Sequence, residues 1–165
     1  MPPDGAPGPG PLHCLENGAV RFASFNNLGK LSPAVVGVWS RILKVLPASK
    51  LTLKSVNRLQ DSGARDYFSG LSGSHGIYQE QLEFLSGDAD LQSHLERHRT
   101  VDIALDPFPC NGGTTSCEAF WMGLPVVTME GDTFMGRQGV NYLEKLGLED
   151  QIAKDAESFV AAAGR

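Results

Sequence analysis

The chain has 165 residues, of which 41% are apolar, and a formal net charge of -5. This length suits one domain with a core large enough to need no disulfide or metal staple. The acidic balance argues against a general nucleic-acid or membrane role, because phosphate backbones attract clustered lysine and arginine.

Proline and glycine crowd residues 1–17, which read as a flexible linker joining the domain to something upstream. The stretch lacks the positive start and apolar centre of a signal peptide. The folded lobe is then 18–165. Residues 19–26 alternate and carry Val20, Phe22 and Phe25, the pattern of a strand, and 27–30 make a turn. Ser32 and Pro33 open a helix, as N-cap and first helical residue. Val35, Val36, Trp39, Ile42, Leu43 and Leu46 recur at helical spacing before Pro47 ends it. A second strand covers 50–55. Residues 56–68 look weakly helical, and 69–76 read as a glycine-rich loop. A third strand is expected over 81–87, a short helix over 90–100 and a fourth strand over 101–108. The segment 114–123 reads as a helix closed by Gly123, and 124–129 as a fifth strand. Residues 132–146 form another helix, ended by Gly147, and 155–163 a last one. No apolar run approaches the roughly 20 residues that span a bilayer.

Strands alternating with helices imply βαβ units and a mostly parallel sheet covered on both faces, a Rossmann-like α/β domain. There is no internal repeat. Ligands of such sheets bind beyond the carboxyl ends of the strands. The loops at 27–30, 87–90 and 108–115 all leave carboxyl ends and are expected to line one crevice.

Gly112, Gly113, Thr114 and Thr115 stand where a helix begins. A helix start leaves N–H groups unsatisfied, glycines let an anion approach the backbone, and threonine hydroxyls add donors, so a phosphate is a natural guest. The alternative is a plain turn capped by Thr115. The stretch is neither a Walker loop nor GxGxxG. Glu118 suits a ribose diol, or equally the acidic end of a Thr-x-x-Glu capping box. Lys30 can neutralise a leaving diphosphate or be a solvated charge. Asn27 is an amide donor or a turn former. His94 and His98 stand at i, i+4, a metal-like spacing, but no third ligand is evident in the sequence nearby, so no metal is expected. His94 can stack on a base, and Arg97 can meet a phosphate or an aromatic face. Cys14, Cys110 and Cys117 are too few and too scattered for a disulfide framework or a zinc site. Reduced thiols in a cytoplasm are expected, and no cysteine has a sequence-local base to make it a nucleophile.

As a group, the stretches "FASFNNLGKLSPAVVGVWSRILKVLPASKLTLKS" and "HLERHRTVDIALDPFPCNGGTTSCEAFWMGLPVVTMEGDTF" resemble the C-terminal catalytic lobe of O-GlcNAc transferase-like glycosyltransferases (family 41). The bacterial tetratricopeptide-repeat members are nearest, and the SPINDLY-type O-fucosyltransferases are also similar. The resemblance covers about 18–163, diverging most over 56–80. It implies a GT-B architecture, with a nucleotide-sugar bound mainly by this lobe, no metal, and inverting transfer to a Ser or Thr hydroxyl of a protein. It places Asn27 and Lys30 at the diphosphate, His94 on the base with Arg97 in the same helix, Thr114 and Thr115 at the phosphates, and Glu118 on the ribose. Lys30 is the residue expected to act in catalysis. Asn27 stands where the animal enzymes have Gln, Gly113 where they have a phosphate-reaching His, and Leu91 where they have a Lys near the base. UDP-GlcNAc is the expected donor, with GDP-fucose the alternative. The family's repeats, N-terminal catalytic lobe and C-terminal tail have no counterpart here, so the chain alone is expected to be inactive. A degenerate, non-catalytic module that binds a nucleotide or a partner is the other reading. An epimerase on the GT-B plan fits less well, since it needs carboxylates across the cleft.

Overall fold

The computed structural model describes residues 5–55 and 59–165. Six parallel strands form one sheet in the order β3-β2-β1-β4-β5-β6. In chain order the elements are α1 (Cys14–Asn17), β1 (Arg21–Ser24), α2 (Pro33–Val45), β2 (Lys50–Lys54), α3 (Ser62–Ser74), β3 (Leu82–Leu85), α4 (Leu91–Glu96), β4 (Ile103–Leu105), α5 (Thr114–Trp121), β5 (Val126–Met129), α6 (Gln138–Leu146), β6 (Ile152–Ala153) and α7 (Ala156–Ala163). Short 3-10 turns lie between several of them. This is the doubly wound, Rossmann-like order, in which chain direction reverses across the sheet between β1 and β4.

Neighbouring strand residues serve opposite faces, as a pleated strand demands. Phe22, Leu105 and Val127 join the larger core beneath α2, α3 and α7. Their neighbours Ala23, Ala104 and Val126 face the smaller core with Val101, Ala119 and Leu124. Continuous apolar strands are thus explained by burial on both sides. Helix α2 begins as its sequence directs: Ser32 Oγ accepts the Val35 N–H at 3.4 Å, and Pro33 follows at the first turn. Its apolar stripe is buried, with Trp39 almost inaccessible.

Several boundaries differ from the sequence reading. The expected loop at 69–76 is helical to Ser74. Asp61 caps α3 through the Gly63 N–H, and Phe68 and Ser72 anchor it to the core. Gly70 and Gly73 lie on open faces of that helix, so packing elsewhere outweighs their poor propensity. Residues 56–58, the start of that predicted helix, lie outside the described residues. Helix α6 starts at Gln138 rather than 132. Residues 131–136 turn on themselves through Gly131 N–H to Gly136 O and Gly136 N–H to Thr133 O, and Met135 O accepts the Asn111 N–H at 3.0 Å. Strand β6 is two residues long, too short to show a period. Strand β4 is shorter than expected at both ends, and just before it Asp102 turns its carboxylate back to the N–H groups of Cys14 and Arg21.

The Pro/Gly-rich segment read as a linker touches the domain at Pro7, Gly8 and Cys14. Trp121 Nε1 donates to Pro7 O at 2.9 Å, Arg99 Nη2 donates to Gly8 O at 3.0 Å, and Cys14 N–H donates to Asp102 at 2.7 Å.

Helix α6 reaches the sheet at Gly139, where a Cβ would stand 2.4 Å from Thr128 Oγ1 and 2.7 Å from Asp106 Oδ2. Gly139→Ala should therefore overpack this contact and cost about 1–3 kcal/mol. It would be read as a lower urea midpoint at unchanged slope; an unaltered midpoint would show that α6 can shift without penalty.

Candidate functional site

The carboxyl ends of β1 and β4 meet at the switch point, and Lys30, Asp106, Asn111 and the glycine loop stand at or just beyond those ends. At the end of β4 lies Asp106, 1% exposed. Its Oδ1 accepts the Gly112 N–H at 2.6 Å and the Ser116 hydroxyl at 3.3 Å; its Oδ2 accepts the Thr128 hydroxyl at 2.8 Å. Burial pushes its pKa up to about 6, against the opposing pull of the Gly112 N–H, Thr128, the Lys30 charge and Ser116. One carboxylate thereby ties the glycine loop, α5 and β5 together. Gly112 has no room for a side chain: its Cβ would come within 2.2 Å of Ser116 Oγ and 2.7 Å of Asp106.

Lys30 reaches across from the β1 side, and its Nζ donates to Asn111 O at 2.7 Å. Asn111 is fully buried, its amide donating to Pro107 O and Met129 O. Thr115 donates to Asn26 Oδ1 at 3.0 Å, a second strut between the β1 and β4 loops. Asn27 spends its side-chain oxygen on the Gly29 N–H and caps the 3-10 turn that carries Lys30. Gly113 is the N-cap of α5, and no side chain caps that helix. The capping-box alternative for Thr115 and Glu118 is therefore not realised, and the helix start stays open beside Lys30, with Thr114 exposed on its first turn.

Glu118, one turn into α5, meets His94 from the neighbouring element: His94 Nε2 and Glu118 Oε2 are 3.0 Å apart. Behind His94 lies an arrangement the sequence reading missed. Lys54, at the end of β2 and 2% exposed, points Nζ at His94 Nδ1 (2.6 Å) and pairs with Asp88. Arg97 Nε donates to the other Asp88 oxygen at 2.9 Å. Arg97 is thus engaged with Asp88 rather than with α5. Burial pushes the Asp88 carboxyl up, but the hydrogen bonds from Lys54 and Arg97 outweigh it and hold the group below its ordinary range.

His98 packs edge-on against His94 and Phe25, at centroid distances of 5.4 and 4.8 Å. Burial first, then the neighbouring His94, push its pKa down to about 4. The helix breaks to a 3-10 turn between the two histidines, yet their rings stay on one side. Together with Glu118 they bring three ligand atoms within 4.8 Å of one another, so the third ligand that the sequence did not reveal comes from α5. The donor set nevertheless fits a metal poorly. Lys54 Nζ, paired with Asp88, stands 2.6 Å from His94 Nδ1, and an ammonium donating there would leave the ring proton on Nε2, the atom that faces Glu118. Ligation there would require the proton on Nδ1, against the ammonium.

The family model of glycosyl transferase family 41 matches residues 12–165. The chain belongs to this family. It is 37% identical over 153 residues to a Solanum lycopersicum protein named a probable UDP-N-acetylglucosamine--peptide N-acetylglucosaminyltransferase SPINDLY, covering 93% of this chain and 16% of that one. A Caenorhabditis elegans UDP-N-acetylglucosamine--peptide N-acetylglucosaminyltransferase is 30% identical over 151 residues, covering 92% and 13%. The chain thus spans about a sixth to an eighth of the length of these relatives. A Thermobaculum terrenum O-GlcNAc transferase mutant superposes with a TM-score of 0.91 at 34% identity, covering 99% of this chain and 30% of that one. An E. coli trehalose-6-phosphate structure with bound UDP-2-fluoro glucose shares the fold at a TM-score of 0.56 and 16% identity, covering 93% and 39%. The architecture is that of one Rossmann-like lobe of a GT-B glycosyltransferase. Among the described residues no helix is long and apolar enough to cross a membrane.

The depressed pKa of His98 has a sign that can be checked. Folded His98 stays neutral to about pH 4, whereas the unfolded side chain binds its proton near 6.5. Its contribution is therefore complete above pH 6.5 and is lost as pH falls towards 4, at most about 3 kcal/mol. The raised pKa of Asp106 acts oppositely over a similar range. Comparing wild type with His98→Gln at each pH isolates the histidine. Urea midpoints at pH 7 and 4.5 should show wild type losing more stability than the variant; equal losses would refute the buried neutral histidine.

Proposed function

We propose that this lobe holds the donor of a protein O-glycosyltransferase, with UDP-GlcNAc as donor and a Ser or Thr hydroxyl as acceptor. The observation that carries the reading is Lys30. Its ammonium is held 2.7 Å from Asn111 O, over the glycine loop and beside the uncapped start of α5. Two sources of positive potential converge where a diphosphate would lie. Glu118, one helical turn further on, suits the ribose diol, and the partly exposed ring of His94 supplies a flat face for the base.

In the inverting transfer the acceptor oxygen bonds to the anomeric carbon from one side while the carbon–oxygen bond to the diphosphate breaks on the other. The electron pair leaves with the phosphate. Lys30 and the N–H groups of the α5 start neutralise that charge as it develops, and Thr114 adds a hydroxyl donor; Thr115, which donates to Asn26, would join it by turning its hydroxyl to the phosphate. This is catalysis by positioning and electrostatics, and the reading needs no metal. The acceptor, the group that takes its proton and the second wall of the cleft belong to the remaining length of the whole protein. We place that protein in the cytoplasm, as the free thiols of Cys14, Cys110 and Cys117 suggest.

The names of the SPINDLY and O-GlcNAc transferase relatives support the UDP-GlcNAc donor. GDP-fucose is the second reading, left open by Asn27, Gly113 and Leu91, which depart from the animal pattern beside the donor.

Calorimetric titration with UDP, and with GDP in parallel, tests both. UDP should bind, and Lys30→Ala or Thr115→Ala should weaken it about tenfold or more with the fold retained, the size of a charge-assisted hydrogen bond. Affinity unchanged in both variants would remove the diphosphate from this loop. Preference for GDP would move the reading to fucose.

A further inference from the structure

We propose that Lys54 is a positioning residue: it fixes His94 as the neutral Nε2–H tautomer and aims that proton at Glu118.

The side chain is hard to explain otherwise. Lys54 is 2% exposed at the end of an interior strand. A buried ammonium is costly, and an apolar residue of similar volume is commonly cheaper for stability. Here the charge is compensated. Asp88 pairs with it, and the Phe25 ring lies 5.1 Å from Nζ. Arg97 satisfies the second Asp88 oxygen, so the carboxylate cannot swing away. The one remaining polar contact of Nζ is His94 Nδ1 at 2.6 Å. An ammonium has donors and no acceptor, so Nδ1 must present its lone pair. The ring proton then lies on Nε2, 3.0 Å from Glu118 Oε2. The side chains run Arg97, Asp88, Lys54, His94, Glu118, each donor facing an acceptor. The effect on a ligand follows from geometry. Glu118 is oriented through one oxygen, leaving the other for an incoming hydroxyl pair, and the His94 ring is held at a set tilt.

The effect on nucleotide rests on the reading that Glu118 and His94 meet the nucleoside; the tautomer does not. The test uses the chain labelled with 15N-histidine, the His94 signals identified by their loss in His94→Gln. At pH 7 wild type should show Nδ1 unprotonated and Nε2 protonated. A protonated Nδ1 would overturn the proposal outright, without any Lys54 variant. Lys54→Met should lose that signature, and Lys54→Arg, which keeps charge and donor, should preserve it. A folded Lys54→Met with the wild-type ring signature would also overturn it. In titrations with UDP, Lys54→Met should bind about tenfold more weakly, as for the loss of one oriented polar contact, and Lys54→Arg should bind nearly as wild type. A lost tautomer with unchanged UDP affinity would leave the positioning role of Lys54 standing and overturn the placement of the nucleoside on His94 and Glu118.

Discussion

The buried carboxylate of Asp106 is the constraint on which the rest of the site is built. It ends β4 at the switch point, where a Rossmann-like sheet opens its crevice. Its three partners come from three elements: the glycine loop, α5 and β5. Burying a carboxylate is unfavourable unless every lone pair is used, and here the donors hold the loop as tightly as the loop holds the charge. The raised pKa of about 6 records the remaining cost. Gly112 is bound into the same knot, because any side chain there would strike Asp106 and Ser116. Lys30 can face an anion across this loop only because the loop itself is immobilised from beneath.

A second polar cluster governs the other half of the crevice. Lys54, Asp88 and Arg97 alternate in sign, so they fix His94 without adding net positive charge beyond one arginine. That division is physically sensible. On the proposed reading the diphosphate half needs positive potential, and Lys30 hydrogen-bonds a neutral carbonyl rather than a carboxylate. The proposed nucleoside half needs orientation, and its charges are spent on each other. An acidic protein can therefore carry an anion site, because the local field is set by Lys30 and the α5 start rather than by the total charge.

The sheet, the crevice and the loop at Gly112–Thr115 were legible because their signals are local: alternation in strands, Ser32 and Pro33 at a helix start, glycines at another. Lys54, Asp88, Asp106 and Asn111 were not. Each lies at or just beyond a strand end and looks, in one dimension, like an ordinary polar boundary residue. Their meaning depends on which strands become neighbours, and β3, β2, β1 and β4 come side by side only through crossovers. Asp106 carried one usable signal, an ionisable residue closing an otherwise apolar strand that the topology buries on both faces; Lys54 ends a strand that also holds Lys50 and Thr52 and carried none. The same reasoning explains α3. Its glycines suggested a loop, and only the burial of Phe68 and Ser72, a tertiary fact, decides for helix. The Glu118 alternative of a capping box was consistent with spacing, but its true partner is His94, 24 residues away in sequence.

The positions at which this chain departs from the animal pattern share a property that its neighbours lack. Gly112 has no space for a Cβ, but one at Gly113 would meet only Gln138 Oε1, at 3.4 Å. Asn27 and Leu91 are exposed. A side chain can change at all three without disturbing the Asp106 knot or the Lys54 network. On the proposed reading, the Asp106 and Lys54 scaffold is thereby separated from the residues that would border the donor from outside. There Gly113 would leave no side chain beside the phosphates, and Leu91 would place an apolar group near the base. Neutralisation of the diphosphate would then fall to Lys30 and the N–H groups of α5. The proposed choice of nucleotide and sugar is thus open to change at Asn27, Gly113 and Leu91 while the buried carboxylate and lysine beneath them keep their partners.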